Sequence, residues 1–448
     1  ADKQSRALLD AAIRPRGAGA WLVYNTCSWP RTGLVTLSGE QSAAGDRVIG
    51  PGGAPAPSQR LSTGELAFLA KDVPPFGANK YRIVAGEAYH EQAAEAVENG
   101  LRTASFTLTV DDKTGALRSL VHAGIEGDLV DTEKMAGLNE YVYVAGRDPN
   151  AEGARRRVEA ATVAVKEKGP LVASLLIESA APGCDALSRK VRVIAGLDCV
   201  EIVNSLKKQD VYTQEAVHFA FPFRVPNPVV RMDTPWAVVR PEADQTAGAC
   251  KNYFTVQRWV DVSNQQCGVT WTMPDTPLIE IGDITCDPTR VGWMEHVEPS
   301  ATLYAYVMNN YWETNYKASQ GGTAAFRYAL RPHAFFDAAQ AARWGVEDAQ
   351  PLLAAPADAS SPDVISSLLT VEPSGVQASL LKPADDGKDL IVRLYGASGR
   401  PEEARLLWHG TKKSKMWLSN LDEKKLEPLE GAVSVPPYGM VTVRIKAD

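Results

Sequence analysis

Aromatic and amide side chains are concentrated in one stretch of the sequence, residues 306–322, which reads YVMNNYWETNYKASQGG. Aromatic rings stack on the C–H faces of sugars, and amide groups donate to and accept from paired hydroxyls. Tyr311, Trp312 and Asn315 are therefore candidate carbohydrate-binding residues. The same groups also make an irregular connection rigid by hydrogen bonding to its backbone, so composition leaves both interpretations open.

The spacings typical of catalytic and metal sites do not occur in this sequence. The six histidines are scattered, and none forms an HxH, HExxH or HxD pattern that would present two ligands to one zinc ion. The nearest approach is His296-Val297-Glu298, whose outer residues would share one face of a strand. There is also no GxSxG elbow, P-loop or GxGxxG motif after a strand. The sequence therefore gives no indication of a catalytic or metal-binding site formed by a local motif.

Composition and charge narrow the class of protein. Hydrophobic residues make up 45% of the chain and charged residues 23%, which is ordinary for a globular protein, and the formal net charge is −7. This charge indicates no nucleic-acid partner, since only two short basic clusters occur, at 154–157 and 412–415. No window approaches the roughly 18–20 apolar residues of a membrane span, so we expect no membrane association.

The sequence pattern favours strands over helices along most of the chain. Helical periodicity is confined to residues 1–14 and to FFDAAQAARWGVE at 335–347. Elsewhere, short runs rich in Val, Ile, Tyr and Phe alternate with turn residues, which is typical of β-sandwiches. Residues 190–208 predict a hairpin that turns near Gly196, and residues 110–121 predict another with Gly115 in a left-handed position.

Two related phrases and one linker-like segment predict the domain organisation. VPPFGANKYRI at 73–83 and VPPYGMVTVRI at 435–445 are each a Pro-Pro turn followed by a strand, and we interpret them as equivalent strands of two small sandwiches. AAPADASSP at 354–362 has the composition of a linker. The predicted organisation is a helical segment at 1–16, a small β-sandwich at 17–90, a large β domain at 91–345, a linker at 346–362 and a C-terminal β-sandwich at 363–448.

The run VMNNYWETNYKASQGGTAAFRYALRPH at 307–333 resembles the β-region of glycoside hydrolase family 38, the zinc-dependent retaining α-mannosidase type. Further phrases resemble the same region in the same order, from about residue 8 to residue 448. They are WLVYNTCSWPRTGLV at 21–35, LTVDDKTGALRSLV at 108–121, VEIVNSLKK at 200–208 and LKPADDGKDLIVRLYGASG at 381–399. Each phrase is short, and their collinear order carries the resemblance.

The resemblance implies an all-β fold, in which a large supersandwich of the galactose-mutarotase type is flanked by two small β-sandwich domains. The short N-terminal helix would be the end of a helical bundle. The zinc ligands and the aspartate nucleophile of this family lie in an N-terminal catalytic domain. We therefore expect no cofactor and no catalytic residue in this chain, with zinc held by the catalytic domain.

One further site residue follows from the resemblance alone. Family members have a tyrosine that reaches the substrate site from a Gly-x-Tyr strand, and Tyr141 in NEYVYV is the best match. Asn139 and Glu140 stand where small residues are expected. Together with the aromatic stretch, this gives a predicted substrate-binding set of Tyr141, Tyr311, Trp312 and Asn315.

Three functional interpretations remain open at this point. The first is the C-terminal half of an α-mannosidase-type hydrolase, with an α-mannoside as substrate and the N-terminal catalytic domain as partner. The second is a free-standing, non-catalytic carbohydrate-binding protein. The third is a mutarotase- or lyase-like catalyst that uses His218, His296 or Glu298 as acid and base. The compartment stays open, and export to the periplasm or outside the cell is favoured only by analogy with glycan-degrading proteins.

Overall fold

The computed structural model describes two compact units. The residues described are 20–285, 292–311, 317–358, 360–409 and 414–446, with Gln4, Ala7, Leu8 and Ala11. Unit 1 comprises residues 1–91 and 350–448, and unit 2 comprises residues 92–349. The four described residues before Ala20 are helical, but most of the predicted N-terminal helix lies outside the described residues.

Unit 1 is built from short strands and one 3-10 turn at Pro51–Gly53. Its strands are β1 (Ala20–Asn25), β2 (Arg31–Leu37), β3 (Arg47–Ile49), β4 (Pro55–Ala56), β5 (Ser58–Arg60), β6 (Leu66–Val73), β7 (Gly77–Val84), β27 (Leu353–Ala357), β28 (Val364–Ile365), β29 (Leu369–Glu372), β30 (Val376–Pro383), β31 (Asp389–Gly396), β32 (Glu402–Trp408), β33 (Met416–Ser419), β34 (Lys425–Leu429), β35 (Val433–Val435) and β36 (Met440–Lys446).

Each of the two sandwiches of unit 1 encloses a hydrophobic core. In the first, the sheet β27-β1-β7-β3-β4 and the sheet β2-β6-β5 enclose a cluster that includes Trp21, Phe68 and Tyr81. The rings of Phe68 and Tyr81 lie 4.9 Å apart between centroids. The second core lies between β29-β32-β35 and β30-β31-β36-β33-β34, and it includes Val392 and Val443. Alternating buried residues on these strands thus produce the two small sandwiches that the sequence predicts.

Residues 353–357 form strand β27, although the sequence predicts a linker at 346–362. β27 pairs antiparallel with β1, from Ala20 opposite Ala357 to Tyr24 opposite Leu353. Its small side chains suit a close-packed position, because Ala355 and Ala357 are both buried. Pro356 is tolerated because β27 pairs on one side only, at the edge of its sheet. The linker interpretation is therefore wrong over this strand.

The two Pro-Pro phrases adopt the same turn. Gly77 donates its amide to the Pro74 carbonyl at 3.2 Å, and Gly439 donates to the Pro436 carbonyl at 3.0 Å. The aromatic residue at the third position has a positive φ in both cases, 44° at Phe76 and 52° at Tyr438. A positive φ at the third position is the geometry of a type II turn, which usually requires glycine there. The equivalence of the two phrases extends from sequence to backbone conformation.

Unit 2 is a larger β domain with a helix near its end. Its elements are β8 (Glu95–Val97), β9 (Gly100–Arg102), β10 (Phe106–Val110), β11 (Leu117–His122), β12 (Glu140–Ala145), β13 (Arg155–Arg157), β14 (Ala161–Lys168), β15 (Val172–Ala181), β16 (Cys184–Ile194), β17 (Val200–Lys208), β18 (Glu215–Pro222), β19 (Val229–Thr234), β20 (Ala237–Val239), β21 (Phe254–Thr255), β22 (Trp259–Ser263), β23 (Gly268–Thr272), β24 (Leu278–Ile281), β25 (Thr302–Asn309), β26 (Gly322–His333) and α1 (Ala338–Ala349).

Two large sheets of unit 2 pack face to face. The front sheet has the order β13-β12-β18-β25-β24-β21, and the back sheet has the order β14-β15-β16-β17-β26-β23-β22-β19-β20. Phe221 of the front sheet contacts Trp271 and Tyr328 of the back sheet, with ring centroids 4.3 and 5.3 Å away. Complete burial of a side chain such as Phe221 contributes about 1.5–3 kcal/mol. The prediction of an all-β fold that contains a large two-sheet domain and two small sandwiches is confirmed.

The hairpins and the helix of unit 2 follow from local sequence signals. β16 and β17 form the hairpin predicted around Gly196, and Gly115 has a φ of +72° in the turn between β10 and β11. The helix begins at Ala338 and not at Phe335, because the Asp337 carboxylate accepts the Gln340 amide at 3.0 Å as an N-cap. No helix among the described residues is long and apolar enough to cross a membrane.

Candidate functional site

The outer face of the front sheet, which points away from the back sheet, carries an unusual set of polar and aromatic side chains. Strand alternation sends Tyr141 and Phe219 towards the back sheet and their neighbours to the outer face. Cross-strand pairing aligns Arg157, Val142, His218 and Tyr306 in one row, and Glu140, Ala220, Tyr304 and Glu280 in the next. Two carboxylates, an imidazole, a guanidinium and two phenols therefore lie on one face of this sheet, where all of them except Arg157 are buried.

Of the residues on this face, Glu140 and Arg157 line a cleft of about 770 Å³. The Glu140 side chain is buried, one carboxylate oxygen accepts the Ala136 amide at 2.8 Å, and the other lies 3.4 Å from Nε of Arg157. Burial raises the pKa of Glu140, while the Arg157 guanidinium and the Ala136 amide oppose this effect. The cleft is lined by Lys113, Thr114, Thr132, Glu133, Lys134, Met135, Ala136, Glu140, Arg157, Val158 and Glu159.

The backbone immediately before Glu140 is held in an uncommon conformation. Asn139 has a φ of +63°, and its side chain is completely buried. Its amide group makes a reciprocal pair with Asn204 of β17, with N···O distances of 2.9 and 2.6 Å. Asparagine tolerates this left-handed region better than most residues, but the conformation persists only where its surroundings fix it. The amide pair supplies that constraint.

Two further contacts fix the walls of the cleft. Leu117 and Leu138 form two backbone hydrogen bonds, in which each amide donates to the carbonyl oxygen of the other residue at 2.8 Å. Gly137 approaches Leu117 so closely that a Cβ at Gly137 would lie 2.1 Å from the Leu117 carbonyl oxygen. Arg189, which is buried in the sandwich, donates to the carbonyl oxygen of Thr114 at 2.6 Å. The segments that carry Thr114 and Glu140 are thus attached to the core of unit 2.

His218 and Glu280 form a buried pair farther along the same face. Nε2 of His218 lies 2.6 Å from a Glu280 carboxylate oxygen, and both side chains are inaccessible to solvent. The His218 ring stacks on Tyr306 with centroids 4.4 Å apart, and the other Glu280 oxygen accepts the Thr285 amide at 2.8 Å. The pair is therefore packed inside the folded chain.

The residues predicted for a mutarotase- or lyase-like site differ in their exposure to solvent. His218 contacts Glu280, whereas the His296 side chain is 79% exposed and lies 3.6 Å from Glu242. Glu298 is exposed on the same loop as His296. His218 is therefore buried against Glu280, whereas His296 and Glu298 are open to solvent.

Tyr141, the tyrosine singled out by the family resemblance, lies inside the sandwich. Its side chain is completely buried, and its hydroxyl donates to the Pro182 carbonyl oxygen at 2.6 Å. Burial and the neighbouring Cys184 raise its pKa well above the usual range of a phenol. Its predicted contact with substrate stays a prediction, and in this chain the residue that faces the cleft is the adjacent Glu140.

The aromatic stretch is described only in part. Tyr311 is half-buried against the front sheet, with the Arg147 guanidinium 5.9 Å from its ring centroid. Asn310 is buried and donates to the carbonyl oxygens of Val211 and Thr213 at 2.8 and 3.1 Å. Trp312 and Asn315 lie outside the described residues, so their sugar contacts stay predictions. Asn310 shows that at least one amide of the stretch bonds to the backbone of the connection between β17 and β18.

No metal site can be assigned within the described ranges. They contain no group of three or more His, Cys, Asp or Glu side chains that could hold a metal ion. The donor set of the cleft, with Glu140 beside Arg157 and two lysines, suits hydrogen bonding to a ligand better than coordination of a cation. No step that involves a metal is therefore assigned to this chain.

Sequence reasoning missed Glu140 and Arg157 as a pair. The sequence does contain a signal for Glu140, because a carboxylate inside the alternating run NEYVYV breaks the apolar pattern of a strand. Arg157 is opposite Val142 only because β13 pairs with β12, a register that the sequence does not specify. The cleft is therefore a tertiary feature.

Comparison with known proteins identifies a relationship for the C-terminal sandwich. Residues 375–443 match the family model described as the glycosyl hydrolases family 38 C-terminal beta sandwich domain. These residues extend from the turn before β30 into β36. No curated protein sequence matches the chain significantly.

Two solved structures share the fold of nearly the whole chain. The crystal structure of an alpha-mannosidase from Enterococcus faecalis V583 matches 99% of this chain and 58% of its own, with 15% identity and a TM-score of 0.72. A protein in glycosyl hydrolase family 38 from Enterococcus faecalis matches 99% of this chain and 60% of its own, with 16% identity and a TM-score of 0.73. At such identity the likeness shows the fold, and this chain spans less than two thirds of either relative.

Proposed function

We propose that this chain, which is related to glycoside hydrolase family 38, forms the C-terminal β-region of an α-mannosidase-type hydrolase. In this proposal the longer polypeptide hydrolyses α-mannosides. Its N-terminal catalytic domain supplies the zinc ion and the nucleophile, and the zinc would act there as a Lewis acid. The two units of this chain would support that domain and contribute contacts to the sugar.

The observation that carries this proposal is the fold likeness over 99% of the chain to an alpha-mannosidase of which it spans 58%. The match of residues 375–443 to the family 38 C-terminal sandwich supports the same conclusion independently. Fold alone does not specify an activity, so the proposal depends on both findings together.

Activity of the complete gene product tests the proposal. We expect hydrolysis of an aryl α-mannoside by the full-length protein, loss of that activity with a chelator and its return with zinc. The 448-residue chain alone should not hydrolyse the substrate, with or without zinc.

The same experiment decides between the alternatives. Turnover by the 448-residue chain alone would overturn the proposal. If the upstream reading frame encodes no catalytic domain, the chain is better explained as a free-standing carbohydrate-binding protein. Binding of α-mannosides by the chain without hydrolysis would then be the expected result.

A further inference from the structure

We propose that the cleft on the outer face of the front sheet binds a pyranose unit of the glycan, with Glu140 and Arg157 contacting sugar hydroxyl groups. This inference deepens the proposed function, on which it rests for the choice of α-mannosides as ligands. Its geometric basis is independent of that choice, because the cleft, the buried carboxylate and the guanidinium are features of this chain alone.

The size and charge of the cleft fit a neutral polyhydroxylated ligand. Its volume of about 770 Å³ lies within the range of about 300–1,000 Å³ found for small-molecule sites. Three cationic side chains in the lining are balanced by three carboxylates, and two threonine hydroxyls add neutral donors and acceptors. A phosphate or a metal ion would favour a surplus of one charge, whereas paired donors and acceptors suit sugar hydroxyls.

Glu140 has the capacity to accept further hydrogen bonds. A carboxylate offers about four lone-pair sites. The Ala136 amide and the Arg157 guanidinium are the groups described within reach of its oxygens, and the Arg157 distance of 3.4 Å is long for a hydrogen bond. A hydroxyl that enters the cleft can therefore donate to Glu140 without displacing a short protein contact.

Arg157 adds hydrogen-bond donors to the cleft lining. Its side chain is 45% exposed and approaches Glu140 through Nε. The planar guanidinium carries five N–H donors in a fixed geometry. The pair therefore places a buried acceptor beside partly exposed donors in the cleft lining, which matches the two requirements of vicinal hydroxyls.

Preorganisation of Glu140 supports a binding role. Asn139 adopts a positive φ, and its amide pair with Asn204 maintains that conformation. The start of a strand does not itself require a positive φ. Backbone strain that is fixed by surrounding contacts is concentrated at functional sites. The constraint orients the Glu140 carboxylate before any ligand arrives, which reduces the entropy lost on binding.

Titration of the 448-residue chain with methyl α-D-mannopyranoside and with an α-linked mannobiose tests the inference, by calorimetry and by saturation-transfer NMR. We expect weak binding by the unaltered chain and a loss of affinity of at least about tenfold in Glu140→Gln. Arg157→Gln should weaken binding as well. Glu178→Gln is the matched control, because Glu178 is an exposed carboxylate on β15 outside the cleft lining.

Folding is monitored separately by the melting temperature of each variant. Glu140→Gln keeps the shape of the side chain, and Arg157 is exposed, so both variants should melt close to the unaltered chain. If Glu140→Gln does not fold, Arg157→Gln alone decides the test. Absence of binding by the unaltered chain, or equal affinity in Glu140→Gln or Arg157→Gln and the control, would overturn the inference.

Failure of the inference is distinguishable from failure of the proposed function. Mannoside hydrolysis by the full-length protein, without sugar binding at the cleft, would leave the function standing and reject the inference. Sugar binding that depends on Glu140, without hydrolysis by the full-length protein, would support the inference that the cleft binds sugar. It would also favour the carbohydrate-binding alternative over the proposed hydrolase.

Discussion

Asn139 shows how a single residue determines the geometry of the candidate site. Its backbone has a φ of +63°, and its amide pairs with Asn204 across the interior of unit 2. Neither property concerns a ligand directly, because the side chain is buried. The consequence is the direction in which Glu140 leaves the turn and enters β12. Asn139 is therefore a positioning residue, and its effect on the site is exerted through Glu140.

Substitution of Asn139 should separate backbone strain from the amide pair. Asn139→Ala loses the amide pair, leaves the Asn204 amide unsatisfied and places a residue with a Cβ at positive φ. We therefore expect the free energy of unfolding to fall by about 2–4 kcal/mol. Asn139→Gly loses the pair but accepts the backbone conformation, and it should be about 1 kcal/mol less destabilising than Asn139→Ala. Urea denaturation measures both values. Equal stability of Asn139→Ala and the unaltered chain would contradict the argument.

Asp233 on β19 makes the stability of unit 2 depend on pH. Burial raises the pKa of Asp233 to about 7, against the opposing effect of Arg258, from an ordinary value of 3.8. The folded state therefore holds the proton more tightly than the unfolded state. The stabilisation is fully present below pH 3.8 and is lost as the pH rises through about 7.

Asp233→Asn should remove this pH dependence, because the amide is neutral throughout. The difference in unfolding free energy between Asp233→Asn and the unaltered chain should grow between pH 4 and pH 8 by at most about 4 kcal/mol. Denaturation at several pH values measures it, and subtraction cancels the titration of other groups. A difference that stays constant over this range would show that Asp233 titrates normally.

At the scale of elements, local signals and tertiary pairing contribute differently. The hairpin of β16 and β17 follows from alternating valines around a glycine turn, and the start of α1 follows from Asp337. Strand β27 has no such signal, since its Ala- and Pro-rich sequence is typical of a linker. It becomes a strand because β1 offers an unpaired edge that small side chains can approach closely.

The N-cap of α1 gives a prediction at this scale. Asp337→Ala removes the acceptor of the Gln340 amide, and we expect a loss of about 1 kcal/mol in the stability of unit 2. Asp337→Asn is the matched control, since asparagine caps nearly as well. Thermal unfolding of both variants provides the measurement. A similar loss in both variants would assign the effect to charge and not to capping.

At the scale of the whole molecule, the family match and the candidate site lie in different units. Residues 375–443 belong to unit 1, whereas the cleft lies in unit 2. The sequence match therefore says nothing about Glu140 or Arg157. The fold likeness includes unit 2, but at 15% and 16% identity it does not transfer the role of a side chain. The hydrolase activity and sugar binding at the cleft are consequently tested by different experiments.

The sequence by itself determined the all-β class, two hairpins, the small sandwiches and the family 38 match of residues 375–443, because these depend on local periodicity, turn residues and ordered phrases. Only the tertiary structure decided which side chains share the outer face of the front sheet. Tyr141 and Glu140 are adjacent in sequence, yet strand alternation buries the first in the sandwich and directs the second into the cleft. Arg157 joins Glu140 through the pairing of β13 with β12, a long-range register that turn chemistry and periodicity leave unspecified.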